Sequence, residues 1–409
     1  MNIKIHLKTM YYLQFFIWGS WLTSLGVYLD RTLHFDGSQI ASVFATMGIA
    51  AIIMPPLMGV IADKWVNAER LLSVCHIIGG VFLFLQTYIT SFSSFFWIML
   101  LYNMMYMPTL SLASSLSYNT LKNKELDVVT DFPPIRIWGT IGFISAMWLV
   151  DLCGWTSMKY QLHLAAVFSV ACGLFALTLP KYMPIKSLEK TSIRSFLGID
   201  ALQLLKNYRM SLFFLFSMLI GAALQITNTF GQPFLSDFAN NPLYKDSFTI
   251  KHPGILTSIS QISEALFILA IPFFLKRFGI KTVMLMSIVG WFFRFGLFGI
   301  SNPNENFIFL ILSMIVYGMA FDFFNVSGSL FIEQETSPQI RASAQGMFIF
   351  MINGVGTIIG TKGSGWVVDY FTDQDGIRNW QMIWFSFALY SLILAILFAF
   401  LFRVKKTKL

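Results

Sequence analysis

The sequence predicts an all-α membrane protein with twelve transmembrane helices, on the basis of its composition, the spacing of its apolar runs and the placement of its cations. Of 409 residues, 56% are hydrophobic and only 12% are charged, whereas a soluble domain usually carries about 25% charged residues. A soluble core cannot bury this much apolar surface. A bilayer can, because each spanning helix needs roughly 20 mostly apolar residues. The composition therefore excludes a soluble enzyme of this size.

The apolar runs recur along the whole chain. The first is expected to be retained as a helix, because no small-residue cleavage site follows it. Prolines inside several runs are compatible with membrane helices, where neighbouring groups satisfy a broken backbone bond. The predicted spans are 10–30, 38–62, 71–91, 94–120, 133–152, 159–180, 207–236, 253–275, 281–300, 306–332, 341–370 and 380–402.

The lysines and arginines define the orientation. If both termini lie on one side, twenty cations fall on that side and five on the other. Cytoplasmic loops collect such cations, so both termini are predicted to be cytoplasmic. The net charge of +8 follows the loops, and no nucleic-acid partner is expected. The five cations on the opposite side are Arg31, Lys159, Lys245, Lys251 and Arg378.

The longest polar connection, Lys181 to Lys206, lies between the sixth and seventh segments. It predicts an N-terminal six-helix bundle (1–181), a cytoplasmic linker (182–206) and a C-terminal six-helix bundle (207–409). Paired bundles of this kind are typical of transporters. A monomer is expected by analogy with that architecture.

Motifs of catalysis and cofactor binding are missing from the sequence. There is no phosphate-binding glycine loop and no serine in a nucleophile elbow, so we expect no enzyme and no ATP-driven pump. The three cysteines have unrelated spacings and no His/Cys cluster has the spacing of metal ligands. We therefore expect no cofactor and no metal, and an ion gradient as the source of energy.

One predicted helix carries a cation, a hydroxyl and an aromatic ring on a single face. Pro133 and Pro134 can start this helix, with Asp131 as a possible cap. The residues on the face lie at i, i+4 and i+7, and they suit a polar, planar ligand. The alternative is that the cation only pairs with an acid at the cytoplasmic mouth. The three residues are Arg136, Thr140 and Phe143.

Two consecutive predicted helices each carry a polar pair at i and i+3. Gln225 and Asn228 lie in segment seven, and Gln261 and Glu264 lie in segment eight. Amides donate and accept hydrogen bonds together, which suits the edge of a base or the hydroxyls of a ribose. Hydrogen bonding between helices is the alternative for either pair alone. Two pairs on neighbouring helices favour a shared polar cavity.

Segment ten places Asp322 in the middle of an apolar helix, among Tyr317, Phe321 and further aromatics. Such an acid usually marks a functional site, and it could take up and release a proton in each transport cycle. Glu264 is the second candidate for this role. A structural salt bridge is the alternative, and Arg294 or Lys362 could balance Asp322, Glu264 or Glu333.

Several runs that include these residues resemble the bacterial nucleoside:proton symporter family of the major facilitator superfamily. The turn 59–64 (Gly-Val-Ile-Ala-Asp-Lys) is similar to the loop signature of the superfamily, and the resemblance extends over essentially all 409 residues. The runs are 16–23 (Phe-Ile-Trp-Gly-Ser-Trp-Leu-Thr), 131–140 (Asp-Phe-Pro-Pro-Ile-Arg-Ile-Trp-Gly-Thr), 225–228, 260–264, 321–325 and 340–346.

The resemblance implies a major facilitator fold in the bacterial inner membrane that imports nucleosides with protons by alternating access. It implies a central cavity between the two bundles. We expect Asp322 to carry the proton, with Glu264 as the second candidate. The implied substrate residues are Arg136, Thr140, Phe143, Gln225, Asn228, Gln261, Glu264, Tyr317, Phe321 and Asp322.

Two other readings stay open at this point. The same fold carries many cargoes, so the substrate could be a sugar or another small polar metabolite. The amides and aromatics argue against this, because they suit a base as well as a ribose. A non-transporting membrane receptor is the second alternative, but the polar groups are expected inside the helices and the loops are too short for a sensing domain.

Overall fold

The computed structural model describes residues 3–181 and 199–402. In these two stretches every regular element is a helix, and the only β-type pairing is an antiparallel bridge between Thr372 and Arg378. Nine helices of the described chain are long and apolar enough to cross a membrane. The prediction of an all-helical, multi-pass membrane protein is therefore confirmed.

The described residues cluster into two compact units. One unit holds residues 3–35 and 42–181, and the other holds residues 36–41 and 199–402. Residues 182–198 of the predicted linker (182–206) lie outside the described residues. The rest of the linker forms a 3₁₀ helix, Ile199–Lys206.

The helices of the first unit follow the predicted segments from the second segment onward. The first segment differs: 10–30 was expected to be one helix, but the helix begins at Ile3, ends at Gly19 and is followed by turns before a second short helix. The helices are α1 (Ile3–Gly19), α2 (Leu25–Arg31), α3 (Gly37–Lys64), α4 (Ala68–Gln86), α5 (Phe92–Asn123), α6 (Val128–Asp131), α7 (Pro133–Leu152) and α8 (Tyr160–Ala176).

In the second unit, the predicted segments 253–275 and 281–300 follow each other directly, with a kink at Gly279. Gly279 has φ of 75° and ψ of 167°, a conformation that glycine adopts without steric cost, so the run consists of two helices. The helices are α9 (Tyr208–Asp237), α10 (Phe248–Lys251), α11 (Pro253–Ile300), α12 (Phe307–Glu335), α13 (Pro338–Ile349), α14 (Thr357–Tyr370) and α15 (Trp380–Leu401).

The predicted segment 341–370 is not one regular helix. A π-helical stretch, Phe350–Gly356, lies between α13 and α14. Each residue of such a stretch bonds one residue further along the chain than in an α-helix, and π segments are often found near functional sites. In the same unit, the first turn of α3 is held by α14, since the Ser38 backbone NH donates to Asp369 Oδ2 at 2.8 Å.

Candidate functional site

In the first unit, α7 is held against α1 by close backbone packing. A Cβ atom on Gly142 would lie 2.2 Å from the Tyr12 carbonyl oxygen, so only glycine permits this approach. The same contact aligns the predicted polar face of α7 with the aromatic residues of α1. The guanidinium carbon of Arg136 lies 4.1 Å from the centre of the Phe15 ring and 5.6 Å from that of Tyr11.

The other two residues of this face lie further along α7. Thr140 is half-buried and Phe143 is buried. The Phe143 ring packs edge-on against Trp18, with 6.4 Å between the ring centres and an angle of 84°. The indole Nε1 of Trp18 is buried and has no hydrogen-bond partner. We therefore add Trp18 as a donor beside the predicted face; its place in the aromatic run 16–23 was the only sequence signal for it.

The sequence suggests Asp131 as a cap of α7, but Asp131 does not cap this helix. Phe132 occupies the cap position, and no side chain caps the helix there. The Asp131 carboxylate instead accepts a hydrogen bond from Lys4 Nζ at 2.7 Å. This ion pair ties the start of α1 to the chain just before α7.

In the second unit, α9 carries the first predicted amide pair. Asn228 Nδ2 donates to Gln225 Oε1 over 3.4 Å, so the two side chains share one face of the helix, as the i and i+3 spacing predicts. Gln225 is buried and Asn228 is half-buried. Both amides keep further hydrogen-bonding capacity, because each can make more than one bond.

The second polar pair lies where α11 meets α12. A Cβ atom on Gly318 would lie 2.5 Å from the Ser263 carbonyl carbon and 2.6 Å from the Glu264 backbone nitrogen. The absence of a side chain at Gly318 thus allows the two helices into backbone contact. Glu264 lies on α11 and Asp322 on α12, and the two acids are close enough to repel each other electrostatically.

Tyr317 lies at the centre of this acidic cluster. Its side chain lies near Gln261 and interacts electrostatically with Glu264 and Asp322. Its ring packs edge-on against Trp291 at 5.9 Å between centres and stacks with Phe321 at 6.4 Å. Five residues predicted separately for segments eight and ten are thus brought together: Gln261, Glu264, Tyr317, Phe321 and Asp322.

Asp322 is buried, with 4% of its surface exposed, and its Oδ2 has no hydrogen-bond partner. Among the described side chains no cation lies within 4 Å of it. The structural salt bridge considered from the sequence is therefore absent in this part of the chain. The described residues leave an acid inside an apolar helix next to a second acid, an arrangement that can carry a proton.

Arg294 and Glu333, two of the residues proposed for a balancing ion pair, have other partners. Arg294 is buried and donates to Ser260 and Ser313 rather than to an acid. Lys362 is exposed on α14. Glu333, the third acid, forms an ion pair with Arg341. Sequence spacing alone had not distinguished among these pairings.

A family model described as "Nucleoside H+ symporter" matches residues 1–407. The chain belongs to the nucleoside H+ symporter family. This membership confirms the family resemblance drawn from the quoted runs, and it places the chain among permeases rather than enzymes.

Individual members of the nucleoside H+ symporter family are similar to this chain over nearly their full length. The chain is 54% identical to the xanthosine permease of Escherichia coli strain K12, over 98% of this chain and 96% of the relative. It is 52% identical to the nucleoside permease NupG of the same strain, over 100% of this chain and 98% of the relative.

Solved structures agree with the family membership. The crystal structure of the nucleoside transporter NupG superposes with a TM-score of 0.93 at 52% identity, covering 99% of this chain and 100% of that one. An inward-facing bacterial homologue of the human lysosomal transporter Spinster superposes with a TM-score of 0.72 at 14% identity, covering 98% of this chain and 95% of that one. The latter match concerns the fold alone.

Proposed function

We propose that the protein imports nucleosides together with protons and works by alternating access. The observation that carries the proposal is the acidic cluster of α11 and α12 in a chain of this family. Asp322 and Glu264 lie close together, and among the described residues no cation neutralises Asp322. A buried negative charge beside a second acid is costly in a membrane interior. Proton uptake relieves this cost, so the cluster links proton binding to the transport cycle.

The same cluster supplies groups for the substrate. Gln261, Gln225 and Asn228 carry amides that can pair with the edge of a base or with ribose hydroxyls. Tyr317 and Phe321 offer ring faces on which a planar base can stack. We assign these roles as proposals, with Asp322 and Glu264 serving both the substrate and the proton.

The first unit supplies the remaining proposed contacts. Arg136 presents a guanidinium fixed over an aromatic ring, which suits a ribose hydroxyl or the exocyclic oxygen of a base. Thr140 adds a hydroxyl and Phe143 adds an aromatic ring on the same face of α7. We propose a role for this face of α7 in nucleoside binding.

We further propose twelve transmembrane helices in two bundles (1–181 and 207–409), joined by a linker at 182–206, with both termini in the cytoplasm. The support is that α11 counts as two spans, because it breaks at Gly279. The 17-residue α8 and the first helical region, α1 with α2, supply the remaining spans beyond the nine found by length and hydropathy. The bias of the cations supports the orientation. We place the protein, as a monomer without nucleic-acid partners, in a bacterial inner membrane.

Proteoliposomes test the function directly. Purified protein should accumulate labelled uridine or adenosine when the proton gradient points inward, and accumulation should collapse when the gradient is removed with a proton carrier. Equilibration that ignores the gradient would make the protein a facilitator of the same cargo. If no nucleoside enters and a sugar does, the cargo assignment is wrong.

The proton role of Asp322 is tested by Asp322→Asn, which keeps the size of the side chain and removes its charge. We expect the variant to exchange labelled for unlabelled nucleoside but to lose accumulation against a gradient by about tenfold or more. The matched control is Asp375→Asn, because Asp375 is an exposed loop acid. If Asp322→Asn accumulates nucleoside as well as the control does, Asp322 does not couple transport to the proton. The same comparison of Glu264→Gln with Glu305→Gln tests the second acid.

A further inference from the structure

Arg294 is a guanidinium buried in the second unit, with 4% of its surface exposed. It lies on α11 after the break at Gly279. Among the described residues no carboxylate lies within 4 Å of it. Burying a cation without an acid is expensive in a protein interior and more so inside a membrane. A cation buried at this cost usually has a functional role.

The polar contacts of Arg294 reach both neighbouring helical segments. Its Nη1 donates to the Ser313 carbonyl oxygen on α12 at 2.8 Å, and to Ser260 Oγ on the first part of α11 at 3.3 Å. In return, Ser313 Oγ donates to the Arg294 carbonyl oxygen at 2.8 Å. One side chain therefore joins the two parts of α11 to α12.

Two aromatic rings flank the same guanidinium. Its central carbon lies 5.1 Å from the centre of the Tyr317 ring and 4.5 Å from that of Phe298. Attraction between a cation and a ring face grows when both are removed from water. This contact restricts where the Tyr317 ring can lie.

We propose that Arg294 is a positioning residue of the substrate site, acting through Gln261 and Tyr317. The proposal rests on the proposed nucleoside transport. Ser260 precedes Gln261 directly, and Ser313 lies one helical turn before Tyr317. The guanidinium therefore contacts the Tyr317 ring directly. It also holds the Ser260 side chain, next to Gln261, and the Ser313 backbone, one turn before Tyr317. The Gln261 and Tyr317 side chains in turn lie near each other.

A purely structural role for Arg294 has different consequences from a positioning role. If Arg294 only holds α11 and α12 together, its loss lowers the amount of folded protein and leaves the affinity of the remaining folded molecules unchanged. If it positions Gln261 and Tyr317, its loss weakens nucleoside binding in molecules that are still folded. The affinity of the folded fraction therefore separates the two roles.

The experiment compares Arg294→Met, Arg294→Lys and Ser260→Ala in full-length protein. Uridine affinity is measured by calorimetry, and KM and kcat for uptake are measured at a fixed proton gradient. We expect Arg294→Met to raise Kd and KM by roughly 30-fold, with a smaller change in kcat. Arg294→Lys should fall between wild type and Arg294→Met, because an ammonium keeps the charge but lacks the planar donors that reach two acceptors. Ser260→Ala should raise KM by about threefold, because it removes one bond and leaves the guanidinium in place.

The control is Ser364→Ala, since Ser364 is buried and bonds only within its own helix, to the Thr361 carbonyl oxygen at 2.9 Å. It should lower the melting temperature about as much as Ser260→Ala without changing KM. Wild-type Kd and KM in folded Arg294→Met and Ser260→Ala protein would overturn the proposal. Failure of the wild-type protein to bind or move any nucleoside would overturn the proposed function, and this inference with it, in a separate arm of the experiment.

Discussion

The side chains of Asn228 and Gln225 face each other across one turn of α9, with 3.4 Å between Asn228 Nδ2 and Gln225 Oε1. That distance exceeds the usual range for an N–H···O hydrogen bond. The bond is therefore weak, and exchanging it for a bond to a ligand costs little. The pair is well suited to receive a polar substrate.

Replacing Asn228 by alanine should accordingly affect substrate affinity more than stability. We expect Asn228→Ala to raise KM for uridine by roughly tenfold, because a bound polar group would lose its partner. The melting temperature should change little, because only a long bond is lost. Uptake kinetics in proteoliposomes and a thermal melt in detergent measure the two effects.

Asn119 provides the matched control for this variant. Its Nδ2 donates to Ser115 Oγ over the same 3.4 Å, and this bond on α5 is exposed. Asn119→Ala should leave KM within about twofold of wild type. Equal effects of the two substitutions on KM would remove Asn228 from the substrate site.

Gly318 should be intolerant of even the smallest side chain. Alanine there would place its Cβ 2.5 Å from the Ser263 carbonyl carbon, so α11 and α12 would have to separate. Overpacking of this kind typically costs about 1–3 kcal/mol, and separation would draw Glu264 away from Tyr317. We expect Gly318→Ala to lower the melting temperature and to reduce uptake by more than about tenfold.

Gly296→Ala, in the part of α11 after the break at Gly279, is the opposite case. No atom lies within 4 Å of a Cβ built at Gly296, and alanine is favoured over glycine in a helix by roughly 0.5–1 kcal/mol. This variant should match or exceed wild-type stability and transport normally. If Gly318→Ala behaves like Gly296→Ala, the close approach of the two helices does not position the acids.

The stacking of Arg136 on Phe15 predicts that charge alone is insufficient at position 136. Arg136→Lys keeps the cation but loses the flat stacking at 4.1 Å, and an ammonium is a flexible point charge. We expect uptake by Arg136→Lys to fall by roughly tenfold and uptake by Phe15→Leu by about threefold. The exposed Arg70 provides the control: Arg70→Lys should transport normally, and normal transport by Arg136→Lys would contradict the assigned role.

The ion pair between Lys4 and Asp131 should contribute modestly to stability. The two side chains are 41% and 22% exposed, so solvent screens the attraction, and pairs of this kind typically contribute about 0.2–1 kcal/mol. A double-mutant cycle with Lys4→Ala and Asp131→Ala, read from unfolding in detergent, should give a coupling energy in that range. A coupling energy of zero would show that the contact is incidental to the packing of α1 against α7.

The polar faces of the helices were predictable from sequence because their spacing is local. The i and i+3 positions of Gln225 and Asn228 determine their proximity, and the aromatic residues around Asp322 are its neighbours in the chain. The break at Gly279 was also predictable, because a glycine among cations separates two apolar runs. Such features depend on a few consecutive residues.

Contacts between distant helices were not predictable in the same way. Nothing near Arg294 in the sequence points to Ser313 or Tyr317, because their contact depends on the packing of α11 against α12. The end of α1 at Gly19 was missed because the residues that follow it, Ser20 and Trp21, are as compatible with a membrane helix as those before it. A hydropathy pattern reports burial in lipid and gives no information about which helices touch.

The π-helical stretch Phe350–Gly356 has a consequence for insertions and deletions. A π stretch amounts to one residue more than the α-helix it interrupts, and each residue of an α-helix turns the chain by about 100°. Deleting a single residue there would restore a regular helix and leave α14 facing nearly the same way, whereas inserting one more residue would rotate α14 relative to α13 by about 100°. Gly360, whose missing side chain lets α14 approach the Ala222 carbonyl oxygen on α9, would then face elsewhere. This segment should therefore tolerate the loss of one residue better than the gain of one.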